Sequence, residues 1–229
     1  MARRSKRSIP ETLRSRLVDL LTNFKGALQL EDLRQKVLSL VPAYHLLRDL
    51  GTSLTPSEAG KAARDRILFY LLKYPYVIID GDEIMVVAGI SDWPRRVREL
   101  RKELGWKIIS GQVAKEMAEQ EEFSLPGIDV STMKTDDYIL TDERQDREAA
   151  FRWKTANNIR RKRTGVINKI LEYMLANVGN QISGEELRYV ANDKTEWARR
   201  ARELRTDLGW QVVTRHTGLP DLPVGVYLP

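Results

Sequence analysis

The sequence contains no cysteine and only two histidines, His45 and His216, among its 229 residues. The lack of cysteine excludes disulfide bonds, thiolate nucleophiles and cysteine-based zinc sites. Two histidines that lie so far apart in sequence also exclude a multi-histidine metal centre. The sequence therefore predicts no catalytic residues, no metal site and no cofactor.

Long apolar runs are also missing. No stretch approaches the roughly 20 apolar residues that a helix needs to span a bilayer. The start of the chain, Met1-Ala-Arg-Arg-Ser-Lys-Arg7, is basic, but no apolar segment of the secretory type follows it. We therefore expect a cytoplasmic protein with no membrane association.

The charge is moderately basic, with 38 Lys and Arg residues against 32 Asp and Glu and a net charge of +6. Such a balance favours a polyanionic partner, although many proteins with other functions are as basic. The distribution of the charge along the chain must therefore decide between a nucleic-acid partner and an ordinary solvated surface.

An internal repeat organises the chain. The segment Trp93-Pro-Arg-Arg-Val-Arg-Glu-Leu-Arg-Lys-Glu-Leu-Gly-Trp106 recurs as Trp197-Ala-Arg-Arg-Ala-Arg-Glu-Leu-Arg-Thr-Asp-Leu-Gly-Trp210, and ten of the fourteen positions are identical. The similarity extends upstream, where 79–84 matches 182–187, and downstream, where 137–140 matches 226–228. The chain therefore carries two copies of one unit in tandem.

Each copy has the pattern helix, short strand, helix, helix, hairpin. In the second copy Ser183 and Glu186 form a capping box that begins the second helix. The third helix has its apolar residues on one stripe, namely Trp197, Ala201, Leu204 and Leu208. Residues 211–214 and 224–228 read as the two strands of a hairpin. Three helices followed by a hairpin are typical of the winged helix-turn-helix.

The predicted fold class is therefore mainly α with small β-hairpins (α+β), with two tandem winged helix-turn-helix units and an N-terminal helical segment. We predict a basic tail and a small helical domain over residues 1–55, in which three helices fall between 9 and 50. The first winged-helix unit covers 56–145, and an acidic insertion at 115–133 extends its wing as a loop or short helix. A basic linker at 146–164 precedes the second unit, 165–229.

The third helix of each copy carries the candidate DNA-binding residues. The side opposite the apolar stripe presents Arg95, Arg98 and Lys102 in the first copy and Arg199 and Arg202 in the second. An arginine ridge suits the major groove, because guanidinium groups bind guanine O6 and N7. Further basic residues flank the apolar stripe on the same helices or occupy the second wing, where they would reach phosphates: Arg96, Arg101, Arg200, Arg205, Arg215 and His216.

The same arginines also fit a solvated helix face. Pairs such as Arg95–Glu99 and Arg199–Glu203 would stabilise such a face without any ligand. The basic segment 151–163 likewise fits two interpretations, a linker that contacts phosphates and a solvated connector. The recurrence of the arginine helix in both copies, each before a hairpin, favours double-stranded DNA as the partner.

The second copy resembles the DNA-binding region that precedes the nuclease domain in bacterial HNH-type restriction endonucleases. The resemblance rests on Ser183-Gly-Glu-Glu-Leu187, Trp197-Ala-Arg-Arg-Ala-Arg-Glu-Leu-Arg205, Gly209-Trp210 and Pro220-Asp-Leu-Pro-Val-Gly-Val-Tyr227. It extends over about residues 65–110 and 135–229. It implies target recognition in a restriction–modification system, with a modified base as one form of target.

Members of that family cleave DNA at a histidine- and metal-dependent site, commonly braced by zinc-binding cysteines, and this chain has no cysteine. The resemblance therefore implies either a nuclease domain in cis after Pro229 or a stand-alone reader. Other interpretations are a transcriptional regulator, a protein-interaction scaffold that docks through 115–133, and a nuclease of another type.

Overall fold

The structure is a computed structural model that describes residues 9–229, so the basic start of the chain, 1–8, lies outside the described residues. The described helices are α1 Pro10–Ala27, α2 Leu33–Ser53, α3 Ala63–Lys73, α4 Gly81–Ala88, α5 Trp93–Lys102, α6 Gly111–Ala118, α7 Ala149–Arg160, α8 Val166–Leu175, α9 Gly184–Val190 and α10 Trp197–Thr206. The strands are β1 Ile108–Ser110, β2 Tyr138–Leu140, β3 Ile182–Ser183, β4 Val213–Thr214 and β5 Val226–Leu228. This composition confirms the predicted mainly α, α+β class.

The described chain forms two compact units. Unit 1 contains the residues up to Tyr70 together with Asp82–Arg96, and unit 2 contains Leu71–Gly81 and Val97–Pro229. The domain bounds predicted above follow the sequence repeat rather than compactness, and they stay a prediction.

Unit 1 begins with a helical hairpin. Pro10 occupies the first turn of α1, where a backbone N–H has no acceptor within the helix, so proline loses no helical hydrogen bond there. The Asp32 carboxylate caps α2 by accepting from the Arg34 N–H at 2.9 Å. The connection between the helices is short, so α1 and α2 pack antiparallel. Only two helices occupy residues 9–50, where three were predicted, because α2 continues through Pro42.

The rest of unit 1 is tied together around α4. Gly51 of α2 approaches α4 closely, and a Cβ there would come within 2.7 Å of the Val86 carbonyl oxygen. Arg66 of α3 is buried and donates from Nε to the Val87 carbonyl at 3.0 Å and from Nη2 to the Ala88 carbonyl. These bonds satisfy carbonyls at the end of α4 that the helix itself leaves without donors.

Unit 2 contains two small antiparallel sheets that pair residues in the same way. In the sheet of order β3-β5-β4, Tyr227 pairs with Ile182 on one side and with Thr214 on the other. In the β1–β2 pair, Tyr138 pairs with Ser110, and an isolated bridge joins Tyr138 to Ile79. The strand register therefore follows the sequence repeat, with Tyr138 and Tyr227 in equivalent places.

The acidic insertion lies between the paired strands β1 and β2, where it forms the end of the short helix α6 and a loop, and its apolar side chains pack into the core of unit 2. Its apolar residues and those of the adjoining α6 are buried, namely Val113, Met117, Phe123, Leu125 and Met133. The start of α9 approaches α6 closely at Gly184, where a Cβ would come within 2.6 Å of the Met117 sulfur. Two acidic residues of the insertion, Glu116 and Glu122, are buried. The Glu116 carboxylate accepts a hydrogen bond from the Trp197 indole N–H.

The segment that was predicted as a basic linker contains α7, which packs into the same core. Arg152 of α7 is buried and donates from Nε to Glu186 at 2.9 Å and from Nη1 to Asp146 at 3.1 Å. Lys107 donates to Asp146 at 2.9 Å. Burial opposes ionisation of Asp146, but Arg152 and Lys107 outweigh it and hold the pKa of that carboxyl at about 2.

Glu186 also forms the predicted capping box of α9. Its Oε2 accepts from the Ser183 N–H at 2.6 Å and from the Ser183 hydroxyl at 2.8 Å, and its own N–H donates back to Ser183 Oγ. Its Oε1 accepts from the Tyr173 hydroxyl at 3.0 Å as well as from Arg152. A single carboxylate therefore joins α7, α8 and α9.

The last residue of α5, Lys102, lies between two aromatic rings. Its Nζ is 4.3 Å from the centre of the Trp153 ring and 3.7 Å from that of Tyr189, and each ring face attracts a cation. Burial, together with the nearby positive charges of Arg101, Arg98 and Arg160, lowers the pKa of Lys102 to about 8.

Replacement of Arg152 by methionine should lower the free energy of unfolding by about 3 kcal/mol, because Glu186 and Asp146 would lose their buried counterion. Denaturant titration measures this loss. Lys154→Met is the matched control, since Lys154 is exposed on the same helix, and it should change stability by less than about 0.5 kcal/mol. Equal stability of the two variants would contradict a structural role for the Arg152 network.

The Lys102 side chain should contribute to the pH dependence of stability. Its pKa is about 8 in the folded chain and about 10.4 when unfolded, so between these values the unfolded chain holds the proton more tightly and stability rises with pH. The difference in unfolding free energy between wild type and Lys102→Met should grow by about 1 kcal/mol over this interval. Lys154→Met should show no such growth, and a constant difference for Lys102→Met would refute the assignment.

Candidate nucleic-acid interface

Two helices of the second copy, α9 and α10, are joined by a tight turn. Asn192 and Asp193 in this turn have φ angles of 60° and 58°, the left-handed region that asparagine and aspartate tolerate better than most residues. The Asn192 side chain accepts from Lys169, and the Asp193 carboxylate accepts from Arg160 at 2.7 Å and from Arg188 at 3.1 Å. The turn therefore fixes the start of α10 relative to α8 and α9.

The orientation of α10 leaves part of its arginine ridge open to solvent. Its buried residues are Trp197, Ala198, Ala201 and Leu204. Arg199 and Arg202 lie on the exposed side, as the helical wheel predicted. The guanidinium group of Arg202 has no hydrogen-bond or ion-pair partner within residues 9–229. The expected Arg199–Glu203 pair is present at 3.1 Å, and Arg200 contacts the other oxygen of Glu203 at 2.7 Å.

The hairpin of the second copy carries two more exposed candidates. The Thr217 N–H donates to the Thr214 carbonyl at 3.1 Å, and the Thr214 N–H donates to Thr217 Oγ1 at the same distance. These bonds close a β-turn whose two central residues are Arg215 and His216. Both side chains are exposed, and neither has a partner in the described part of the chain.

The candidates of the first copy are divided between the units. In unit 1 Arg95 is exposed, and Arg96 is half-buried with its Nη2 3.6 Å from Asp92. In unit 2 Arg98 is exposed. Lys102 is not on an open ridge, where the helical wheel placed it, because α7 and α9 enclose it between Trp153 and Tyr189.

The last arginine of the repeated motif has an internal role in both copies. Arg101 pairs with Glu185 at 2.5 Å, and Arg205 pairs with the buried Glu122 at 2.9 Å. Their side chains are only 17% and 20% exposed. Each arginine lies near the tyrosine of its own copy.

The Arg101 guanidinium is 6.0 Å from the centre of the Tyr138 ring. Burial, with a further contribution from Glu122, raises the pKa of Tyr227 well above its usual value, while Arg205 acts against this shift. Both arginines were expected to reach phosphates, but the structure uses their charges inside the fold.

Four more basic residues of unit 2 are exposed. Lys154 on α7 and Arg161 and Arg163 after it belong to the segment 151–163, which the sequence left open between a phosphate-contacting linker and a solvated connector. Lys194, in the turn before α10, was not singled out from the sequence. Helical spacing could have separated Lys154 and Arg161 from Arg152, because the apolar residues of the same segment, Trp153, Ala156 and Ile159, mark its buried side. The segment 151–163 is therefore partly internal and partly an exposed basic surface.

The described residues contain neither a metal-binding cluster nor a membrane-spanning helix. Over 9–229 no three acidic or histidine side chains come together in a way that could hold a metal ion. Within the same range no helix has the length and apolarity to cross a bilayer.

Comparison with known proteins places the chain in a family. No curated protein and no solved structure is significantly similar to it. A family model described as the KpnI N-terminal domain matches residues 64–141 and 168–228, which together make up more than half of the chain. Both matched ranges coincide with the copies of the repeat. The chain therefore belongs to the KpnI N-terminal domain family, a domain family of restriction endonucleases.

Proposed function

We propose that the chain binds double-stranded DNA in a sequence-specific manner and supplies the target recognition of a restriction endonuclease. In this proposal α9, α10 and the β4–β5 hairpin form a winged helix-turn-helix unit, and α10 enters the major groove. The observation that carries the proposal is the exposure of Arg199 and Arg202 on one side of a helix whose other side is buried.

The dimensions and chemistry of α10 fit this role. A helix of about 10–12 Å diameter fits a major groove about 12 Å wide. The guanidinium group of Arg202 has no partner in the described chain, so it can bind a guanine without first giving up an internal bond. The side chain of Arg199 is 58% exposed, and it would exchange a surface ion pair of small energy for a base contact.

The wing and the turn would supply phosphate contacts. Arg215 and His216 occupy the tip of a β-turn, and Lys194 lies in the turn before α10. Contacts from such positions fix the register of a recognition helix on the duplex without reading sequence themselves. In the first copy Arg95 and Arg98 of α5 are exposed, and they would contact bases as Arg199 and Arg202 do in the second copy.

The family match supports a DNA partner, because restriction endonucleases act on DNA. We further propose that a nuclease domain of the same protein acts with this chain, and that base modification affects recognition. Selection from randomised duplexes, with methylated and unmethylated pools in parallel, would identify the target and show whether a modified base is required.

With the selected duplex, the double variant Arg199→Ala, Arg202→Ala should lose about 1–3 kcal/mol per missing base contact, which is roughly tenfold or more in Kd. Fluorescence anisotropy across a range of salt concentrations would measure both Kd and its salt dependence. Arg144→Ala is the control, because Arg144 is an exposed arginine that pairs with Asp142 away from α10. An unchanged Kd for the double variant would exclude α10 as the reading helix.

Replacement of Glu203 by glutamine should strengthen binding to duplexes of any sequence, because the carboxylate neutralises Arg199 and Arg200 next to the proposed phosphate path. The plot of log K against log salt should become steeper by about one unit. Glu143→Gln removes an exposed carboxylate elsewhere in unit 2 and should have little effect. Weaker binding by Glu203→Gln would contradict this account of the carboxylate.

A further inference from the structure

An apolar row with a seven-residue period runs along α2. It consists of Leu33, Val37, Leu40, Tyr44, Leu47, Gly51 and Leu54. The spacing alternates between four and three residues, and a leucine recurs at every seventh position. None of the seven residues is charged. Apolar residues at this spacing mark the positions at which one helix packs along another, as in coiled coils and helix bundles.

Most of this row is exposed to solvent. The leucines at 33, 40, 47 and 54 are 73%, 43%, 58% and 67% exposed, and Val37 and Tyr44 are also more than half exposed. Only Gly51 is buried, where α2 meets Val86 of α4. A 21-residue helix is about 31 Å long, so the exposed row exceeds the scattered apolar residues of an ordinary surface.

Helix α1 widens this surface. The row through which α1 faces α2 contains Leu13, Leu17, Leu20 and Phe24, and the next row contains the exposed Val18, Leu21 and Leu28. In α2 the row that faces α1 contains Ala43, Leu46 and Leu50, again one residue before the exposed row. In both helices the exposed row lies one residue after the row that faces the partner helix. Because the helices are antiparallel, these two exposed rows lie on the same face of the hairpin.

The C-terminal end of the face continues onto α4. Tyr44, Leu47 and Leu54 line an open apolar groove of about 250 Å³ together with Met85, Val86 and Ile90. All of these residues belong to unit 1. The groove and the two exposed rows therefore form one apolar surface, which is called the α1–α2 face below.

We propose that the α1–α2 face binds the same face of a second copy of this chain and forms a four-helix bundle. Each helix of the hairpin carries two adjacent rows that are mainly apolar, and only one row is used inside the hairpin. The exposed row of α1 also contains Arg14 and Lys25. A helix in a four-helix bundle needs two such rows, since it packs against two neighbours. One hairpin supplies half of a bundle, and a second copy supplies the matching half.

Self-association also fits the requirements for symmetry and area. A two-fold interface uses the same surface on both partners, so a surface without charged residues in its main row meets itself without repulsion. The face is about 30 Å long and about 20 Å wide, a footprint of roughly 600 Å² before side-chain relief is added. Each partner in a stable complex buries about 600–1,000 Å², so a footprint of this size reaches the lower end of that range.

The proposal does not depend on DNA binding. A dimer would carry two sets of DNA-reading helices and would favour sites with two half-sites, because the second contact becomes intramolecular. Self-association can be measured without DNA, so a failure of either proposal leaves the other intact.

Sedimentation velocity of the full chain over a range of concentrations tests the proposal. We expect the wild type to reach the mass of two chains and Leu40→Gln, Leu47→Gln to raise the dimer Kd by about 100-fold. The control Leu175→Gln, Leu208→Gln replaces two equally exposed leucines of unit 2 and should leave the dimer intact. A monomer at every concentration, or association that needs lipid or another protein, would overturn the proposal.

A second measurement covers the case in which the glutamine variant does not fold. Because the chain has no cysteine, Leu40→Cys introduces a single thiol at the centre of the face, and since Leu40 is exposed the smaller side chain leaves no internal cavity. Its alkylation should be slow where the chain is dimeric and should accelerate on dilution. Leu175→Cys should react at the same rate at all concentrations, and equal behaviour of the two thiols would refute the interface.

Discussion

The arrangement of unit 2 depends on one buried carboxylate, that of Glu186. It accepts four hydrogen bonds, from Ser183 N–H, Ser183 Oγ, Tyr173 and Arg152. A buried charge with fewer partners would destabilise the fold by several kcal/mol. Because these donors lie on α7, α8 and the start of α9, the carboxylate holds together the helices against which α10 packs. Glu186 therefore supports α8 and α9, the helices that α10 packs against.

The same requirement withdraws several arginines from the set that could meet a ligand. Arg101, Arg152 and Arg205 are largely buried, and each is paired with an acidic residue far away in sequence. Their charges stabilise the packing of helices and hairpins. The basic side chains that remain exposed to a ligand are fewer, and in α10 and its wing they are Arg199, Arg202, Arg215 and His216. The proposed DNA contact of the second copy therefore involves only a few side chains of the described chain.

The two units present surfaces of different chemistry. Unit 2 exposes arginines on a helix that is otherwise buried, which suits a polyanion. Unit 1 exposes leucines at regular helical spacing, which suits another apolar helix surface. We propose that one surface reads DNA and the other joins two copies of the chain. The apolar row on α2 was not recognised from the sequence, because its residues were divided between two predicted helices on either side of Pro42.

Local patterns in the sequence determined the repeat, the mainly helical class, the Ser183–Glu186 capping box and the exposed side of α10. The repeat is visible as sequence identity between its two copies, and the other features depend on residues that lie within about two turns of one another, so spacing alone is enough to predict them. Tertiary structure decided the positions of Lys102, Arg101 and Arg205, and the burial of α7 and the acidic insertion. Their partners, such as Glu122 for Arg205, lie tens of residues away, and no local pattern encodes which distant carboxylate or ring a cation will meet.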